Sequence, residues 1–146
     1  MPNSAHLHLI LNHFPIIGTV IVILVLGYAV YANDERIKKL GMFLFVFIGL
    51  ITLPVFFTGG KAAGIVKGNE GITEENIEPH EEYAKISMIS MEIVTAISLV
   101  SLVLYRKQKP VPVYFGVILL ILILIINLMM IYTGHLGGKI SHGGVM

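Results

Sequence analysis

The chain has 146 residues, 55% of them hydrophobic and 13% charged, with a net charge of +1 at neutral pH, against roughly 25% charged in an ordinary soluble domain. Together with a mean hydropathy of +0.85, this excludes a water-soluble globular protein, and the near-neutral balance leaves no basic surface for nucleic acid. Cysteine is absent, which excludes disulfides, thiolate-held iron–sulfur clusters and thioether-attached haem.

Crossing a hydrocarbon core takes about 20 mostly apolar residues, and the sequence predicts four such helices. The first runs from about Leu9 to Tyr31, with Pro15 suited to its opening turn. No basic segment precedes it and it is too long for a signal-peptide core, so it reads as an uncleaved span. The turn "ANDERIKK" leads into the second helix, about Leu40 to Thr58, which ends in "FFTGGKAAG". A longer acidic connection follows, carrying Glu70, Glu74, Glu75, Glu78, Glu81 and Glu82. The third helix, about Tyr83 to Tyr105, holds Glu92 roughly 14 Å inside its start at 1.5 Å per residue. There Glu92 either bonds to Asn127 and Thr19 at similar depth, holding the helices in register, or acts as a proton-linked carboxyl beside a quinone. The loop "RKQKPVP" leads to the fourth helix, about Val113 to Thr133, which runs out into "TGHLGGKISHGG". The short first and third connections imply antiparallel neighbours. The expected fold is an all-α integral membrane protein, a single up-down four-transmembrane-helix bundle.

Arg36, Lys38 and Lys39 crowd the first turn and Arg106, Lys107 and Lys109 the third, so the basic-loop rule puts those loops in the cytoplasm and both termini outside the inner cell membrane. All six histidines then share the outer side: His6, His8 and His13 near the first helix, His80 before the third, His135 and His142 after the fourth. An imidazole at the membrane boundary is either a comfortable interfacial group or a ligand. His6 suits the first description; His13, set against the apolar run, suits the second. Gly59 and Gly60 in one half, and Gly134, Gly137 and Gly138 in the other, would let a flat ligand approach the backbone. Lys61 and Lys139 beside them would pair with its carboxylates. The two halves suggest a weak tandem repeat, with histidine at the start, a basic turn, and a Thr-Gly followed by Gly-Lys at the end.

The opening "HLILNHFPI" and the ending "GHLGGKISHGGV" resemble an uncharacterised family of bacterial four-helix membrane proteins, a domain of unknown function with an H-x4-H-F-P-I opening and a closing G-x-L-G-G-x3-H-G. The resemblance covers nearly the whole chain and matches His8, His13 and His142 to motif histidines, with His80 at the family's third-span histidine. Members are sometimes associated with Rieske-type domains, which implies an electron-transfer setting.

Histidine suits haem iron, copper and zinc. Neutral imidazoles beside glycine and lysine fit best with one or two b-type haems, each held by two histidines on different helices; bis-imidazole ligation fills both axial positions and leaves an electron carrier. The expected ligands are drawn from His8, His13, His80, His135 and His142, and for a bare metal from His8, His13, His80 and His142. The expected function is therefore a small membrane cytochrome-like electron-transfer protein or subunit, meeting lipid on its sides and a redox partner or larger complex at its outer face, where the glutamates would steer a basic partner. Copper or zinc binding, or a cofactor-free accessory subunit, are the alternatives. Phosphate-binding loops, G-x-S-x-G and H-E-x-x-H are absent, so catalysis by this chain alone is not expected.

Overall fold

A computed structural model describes residues 8, 10–67, 72–107 and 109–142, with the backbone alone at 66, 141 and 142. Four helices account for nearly all of them: α1 His13–Tyr31, α2 Glu35–Val66, α3 Glu74–Leu104 and α4 Val113–His142. All four are long and apolar enough to cross a membrane, with mean hydropathies of 2.0 to 2.9 over their best windows. Only 33% to 44% of each such window is buried within the bundle. The remainder, including Leu24, Phe43, Phe57 and Leu128, is exposed apolar surface, the pattern of helices whose outer faces meet lipid.

Three of the helices, α2, α3 and α4, extend beyond their apolar runs, whereas α1 starts at His13 instead of Leu9. Glycine and glutamate punctuate the sequence where the helices continue, so α2 passes through Gly59, Gly60 and Gly64, α4 through Gly134, Gly137 and Gly138, and α3 begins nine residues before Tyr83. Hydropathy measures the thickness of the hydrocarbon, whereas a backbone ladder continues into the headgroup region as long as its bonds are satisfied. The acidic stretch is accordingly helix from Glu74 onward, with Lys67 and Glu74 paired across the connection.

Each helix packs on two neighbours in a closed ring, α1 on α2, α2 on α3, α3 on α4 and α4 on α1. The core runs through Val22, Leu26, Phe45, Met91, Leu119 and Ile123. At one end Asp34 caps α2, its carboxylate accepting from the N–H groups of Arg36 (2.8 Å) and Ile37 (3.1 Å). Lys38, fully buried, donates to Asn33 Oδ1 (2.7 Å), Glu35 Oε1 (2.7 Å) and the Val111 carbonyl (3.1 Å). Glu35 Oε2 in turn accepts the Val111 N–H at 2.6 Å. These bonds tie the two basic turns together, so this is the basic end of the bundle.

The two hairpins repeat. A shift of 72 positions carries buried Pro15, Thr19, Val22, Leu26 and Ala29 of α1 onto buried Ser87, Met91, Val94, Ser98 and Ser101 of α3. A shift of 78 carries buried Gly41, Phe45, Ile48, Gly49 and Thr52 of α2 onto buried Leu119, Ile123, Ile126, Asn127 and Met130 of α4. The residue types mostly differ while the inward-facing positions agree, so the chain is two parallel helical hairpins about an axis along the bundle.

Candidate functional site

The second shift also superposes Gly59-Gly60-Lys61 on Gly137-Gly138-Lys139, a better register than aligning the two Thr-Gly pairs. Its purpose is visible in what rests on the first glycine of each pair. A Cβ on Gly59 would lie 2.9 Å from His8 Cε1, and one on Gly137 3.0 Å from His80 Cε1. In a helix the Cβ tilts toward the N-terminus and covers the carbonyl one turn earlier. Glycine at 59 and 137 uncovers the carbonyls of Val55 and Thr133, each four residues before it. His8 Nδ1 donates to the Val55 carbonyl at 3.1 Å, with Thr58 Oγ1 at 3.4 Å, and His80 Nδ1 donates to the Thr133 carbonyl at 3.0 Å. The same device thus occurs once in each hairpin.

A carbonyl oxygen accepts only, so Nδ1 carries the proton on both rings. In the neutral ring that leaves the Nε2 lone pair available. For His8, burial holds the imidazole pKa below its ordinary value, outweighing the Val55 carbonyl that pulls it up, with His80 lowering it further. The ring centres of His8 and His80 are 6.5 Å apart with planes at 77°.

The two rings head an open cleft of about 80 Å³. Its lining obeys the repeat throughout. His8, Asn12, Pro15 and Ile16 correspond to His80, Ala84, Ser87 and Met88, and Thr52, Val55 and Phe56 correspond to Met130, Thr133 and Gly134. The axis therefore passes through the cleft, between the histidines. Among the described residues the lining is mostly apolar, with no carboxylate, but Asn12 Oδ1 is buried there without a hydrogen-bond partner. Symmetry is broken at Phe56 and Gly134: where one hairpin presents an aromatic ring, the other presents bare backbone, with Ile16 Cδ1 3.2 Å from where a Cβ would be. Beneath the cleft Asn127 Nδ2 donates to Thr19 Oγ1 (2.7 Å) and the Ile16 carbonyl (3.1 Å). Glu92 is not part of this network, so the expected Glu92–Asn127–Thr19 cluster reduces to its last two members.

Of the histidines singled out by sequence, the fold brings together His8 and His80. His13 and His135 are exposed and do not line the cleft, and His6 and the imidazole of His142 lie outside the described residues. Gly59 and Gly137 seat the rings, Gly134 lines the cleft, and a Cβ at Gly60 or Gly138 would meet nothing within 4 Å. Lys61 and Lys139 are exposed, each two residues past a ring-seating glycine. Asn12, Thr52 and Ser87 were not singled out beforehand. Thr52 and Ser87 become legible only once the 72- and 78-residue shifts put them one or two turns from the histidine layer. Among the described residues no group of three or more histidine, cysteine or acidic side chains surrounds a common point. Set against family models, curated proteins and solved structures, the chain matches none of them.

Proposed function

We propose that His8 and His80 would together hold a b-type haem between the hairpins, and that the protein is an electron carrier or the electron-carrying subunit of a membrane oxidoreductase. The observation that carries this reading is the histidine pair itself. An imidazole nitrogen sits about 2 Å from a bound metal with roughly 1.2 Å more to the ring centre, so one metal atom can be shared by two rings whose centres lie up to about 6.4 Å apart. The observed separation is 6.5 Å. Ligating histidines characteristically donate their other nitrogen to a carbonyl, which fixes the tautomer and the ring orientation, as Val55 and Thr133 do here.

Charge favours haem over a bare divalent ion. Two imidazoles in a cleft with no carboxylate among its described lining residues give a divalent ion no compensation, and an uncompensated charge is costly in a low-dielectric site. A porphyrin brings its own two negative charges. A closed zinc site needs four ligands, and the histidine pair supplies two. When bound, the haem would supply one-electron chemistry. The chain's own residues hold the ring tautomers through Val55 and Thr133, exclude carboxylates, and place Lys61 and Lys139 at the same end for anionic edge groups. Asn12 Oδ1 offers an acceptor to a ligand N–H or O–H. The glutamates at the start of α3, from Glu74 to Glu82, present an acidic surface at this end for a basic redox partner.

Purified protein titrated with haem should give a low-spin bis-imidazole spectrum that His8→Ala and His80→Ala each destroy and His13→Ala leaves intact. Binding of copper(I) instead, lost in the same two variants and absent with haem, would assign the pair to copper. Retention of the haem spectrum in both histidine variants would reject the site.

A further inference from the structure

The charges at the basic end are unevenly used. Arg36, Lys38, Lys39, Arg106, Lys107 and Lys109 share that end with two carboxylates, Asp34 and Glu35, and both carboxylates are engaged in the first turn. Asp34 caps α2, and Glu35 takes Lys38 on one oxygen and the Val111 N–H on the other. Among the described residues no carboxylate pairs with Arg106, Lys107 or Lys109. Those three, with Leu104, line an open recess at the turn between α3 and α4. Lys39 reaches the same turn from α2, donating to the carbonyls of Lys107 (3.3 Å) and Lys109 (3.1 Å). Carbonyls satisfy its protons without cancelling its charge, so a fourth cation is held there.

The repeat separates what a turn needs from what this one adds. Each turn holds a residue in the left-handed region, Asn33 at φ 51° and Lys107 at φ 62°. Asparagine visits that region readily, and Asn33 also accepts from Lys38 at 2.7 Å. A lysine there is disfavoured by its Cβ, and backbone strain of this kind gathers at functional sites. A shift of 74 sets Lys107-Gln108-Lys109 where the first turn has Asn33-Asp34-Glu35. The first turn spends its polar side chains on closing the bundle; the second is closed through its carbonyls by Lys39 and keeps its cations for something else.

What those cations meet is set by their surroundings. Leu104 is the last residue of α3 and is exposed, as are Val103 before it and Val113 and Tyr114 at the start of α4. A tyrosine at the end of a spanning helix marks the headgroup level. Unpaired cations beside exposed apolar surface at that level match a molecule with a phosphate at one end and hydrocarbon at the other. A soluble anion would match the charges and leave the apolar wall in water. We propose that the recess binds the headgroup phosphate of an anionic membrane phospholipid through Arg106, Lys107 and Lys109, with the acyl chains along the apolar surface beside Leu104. This site does not rest on the histidine pair, and its test needs no haem.

The full chain bearing Leu104→Trp is reconstituted in phosphatidylcholine vesicles, with part of the lipid replaced by phosphatidylglycerol whose brominated acyl chains quench tryptophan on contact. The chain has no other tryptophan, so the emission reports this one place. Brominated phosphatidylglycerol should quench with several-fold higher relative affinity than brominated phosphatidylcholine, whereas a Tyr132→Trp reporter at the histidine end should show no such preference. Arg106→Gln, Lys107→Gln and Lys109→Gln together should abolish the preference, with thermal unfolding unchanged because Lys39 bonds to the backbone of that turn. Lys109→Gln alone should reduce it part-way. Arg36→Gln, which removes an exposed charge from the same end outside the recess, should leave it intact. Equal quenching by the two lipids at Leu104→Trp, the same preference at Tyr132→Trp, no reduction in the single or triple recess variants, or an equal reduction by Arg36→Gln would each overturn the proposal. Relief of the quenching by millimolar inorganic phosphate would assign the cations to a soluble anion and overturn it as well.

Discussion

Adjacent glycines in this chain do opposite things, and substitution separates them. Alanine at Gly59 or Gly137 puts a methyl 2.9 or 3.0 Å from the Cε1 of His8 or His80, so the ring must shift and its bond to the carbonyl loosens. The expected cost is about 10- to 100-fold in ligand affinity, the usual effect of losing an orienting hydrogen bond on a ligating histidine. Alanine at Gly60 meets nothing and replaces glycine within a helix, so it should leave affinity unchanged and stabilise the protein by about 0.5–1 kcal/mol. Ligand titration and thermal unfolding of the two variants in detergent check both signs. The His8 tautomer sets a pH dependence. Its folded pKa lies below the unfolded value, about 6.5, so its contribution to stability is fully present above about 6.5 and is lost as the pH falls from there through the folded pKa. Ligand retention should decline on acidification over that window, and His8→Ala should lack this component in an unfolding titration.

At the scale of the elements, the clasp at the basic end and the glycine pairs at the other are what the helices need in order to run past the hydrocarbon. Lys38→Met removes three hydrogen bonds from a buried ammonium and leaves Glu35 with a bond to Val111 alone. Hydrogen bonds to charged groups are worth about 1.5–3 kcal/mol each, discounted here because Glu35 is 35% exposed, so a loss of about 2 kcal/mol is expected by thermal unfolding, with ligand affinity unchanged because the site lies at the far end. The four spans and their order were legible in hydropathy, which responds to the same apolar faces that meet lipid. The helix ends were not, because Gly59-Gly60 and Gly137-Gly138 have the composition of terminators, whereas the first glycine of each pair instead leaves room within the helix for a histidine ring. His80 was placed before the third helix and lies inside it, while His13, prominent beside Phe14 and Pro15, turns outward. Neither result could be read without knowing which face of each helix looks inward. The register of the repeat was present in the sequence as Gly-Gly-Lys, but the more conspicuous Thr-Gly pairs suggested another alignment.

For the molecule as a whole, the ring contacts put the starts of α1 and α3 and the ends of α2 and α4 at one end and the basic turns at the other. Cysteines introduced at Lys107 and His135, both exposed, should therefore be labelled by a membrane-impermeant thiol reagent from opposite sides, and by the basic-loop rule His135 should be the one reached from outside. Labelling of both from the same side would contradict the bundle. The repeat has a further consequence for how the protein is put together. His8 is held by α2 and His80 by α4, so each hairpin carries a finished half of the site and neither carries the whole. Expressed as two polypeptides divided in the connection between α2 and α3, the hairpins would each retain their clamped histidine, and whatever binds between them would draw them together by mass action, by RT ln(1 + [L]/Kd). The ligand would then act as the subunit joint of a two-piece protein, and the short connection that replaces it in the single chain keeps the halves in proximity when the joint is empty.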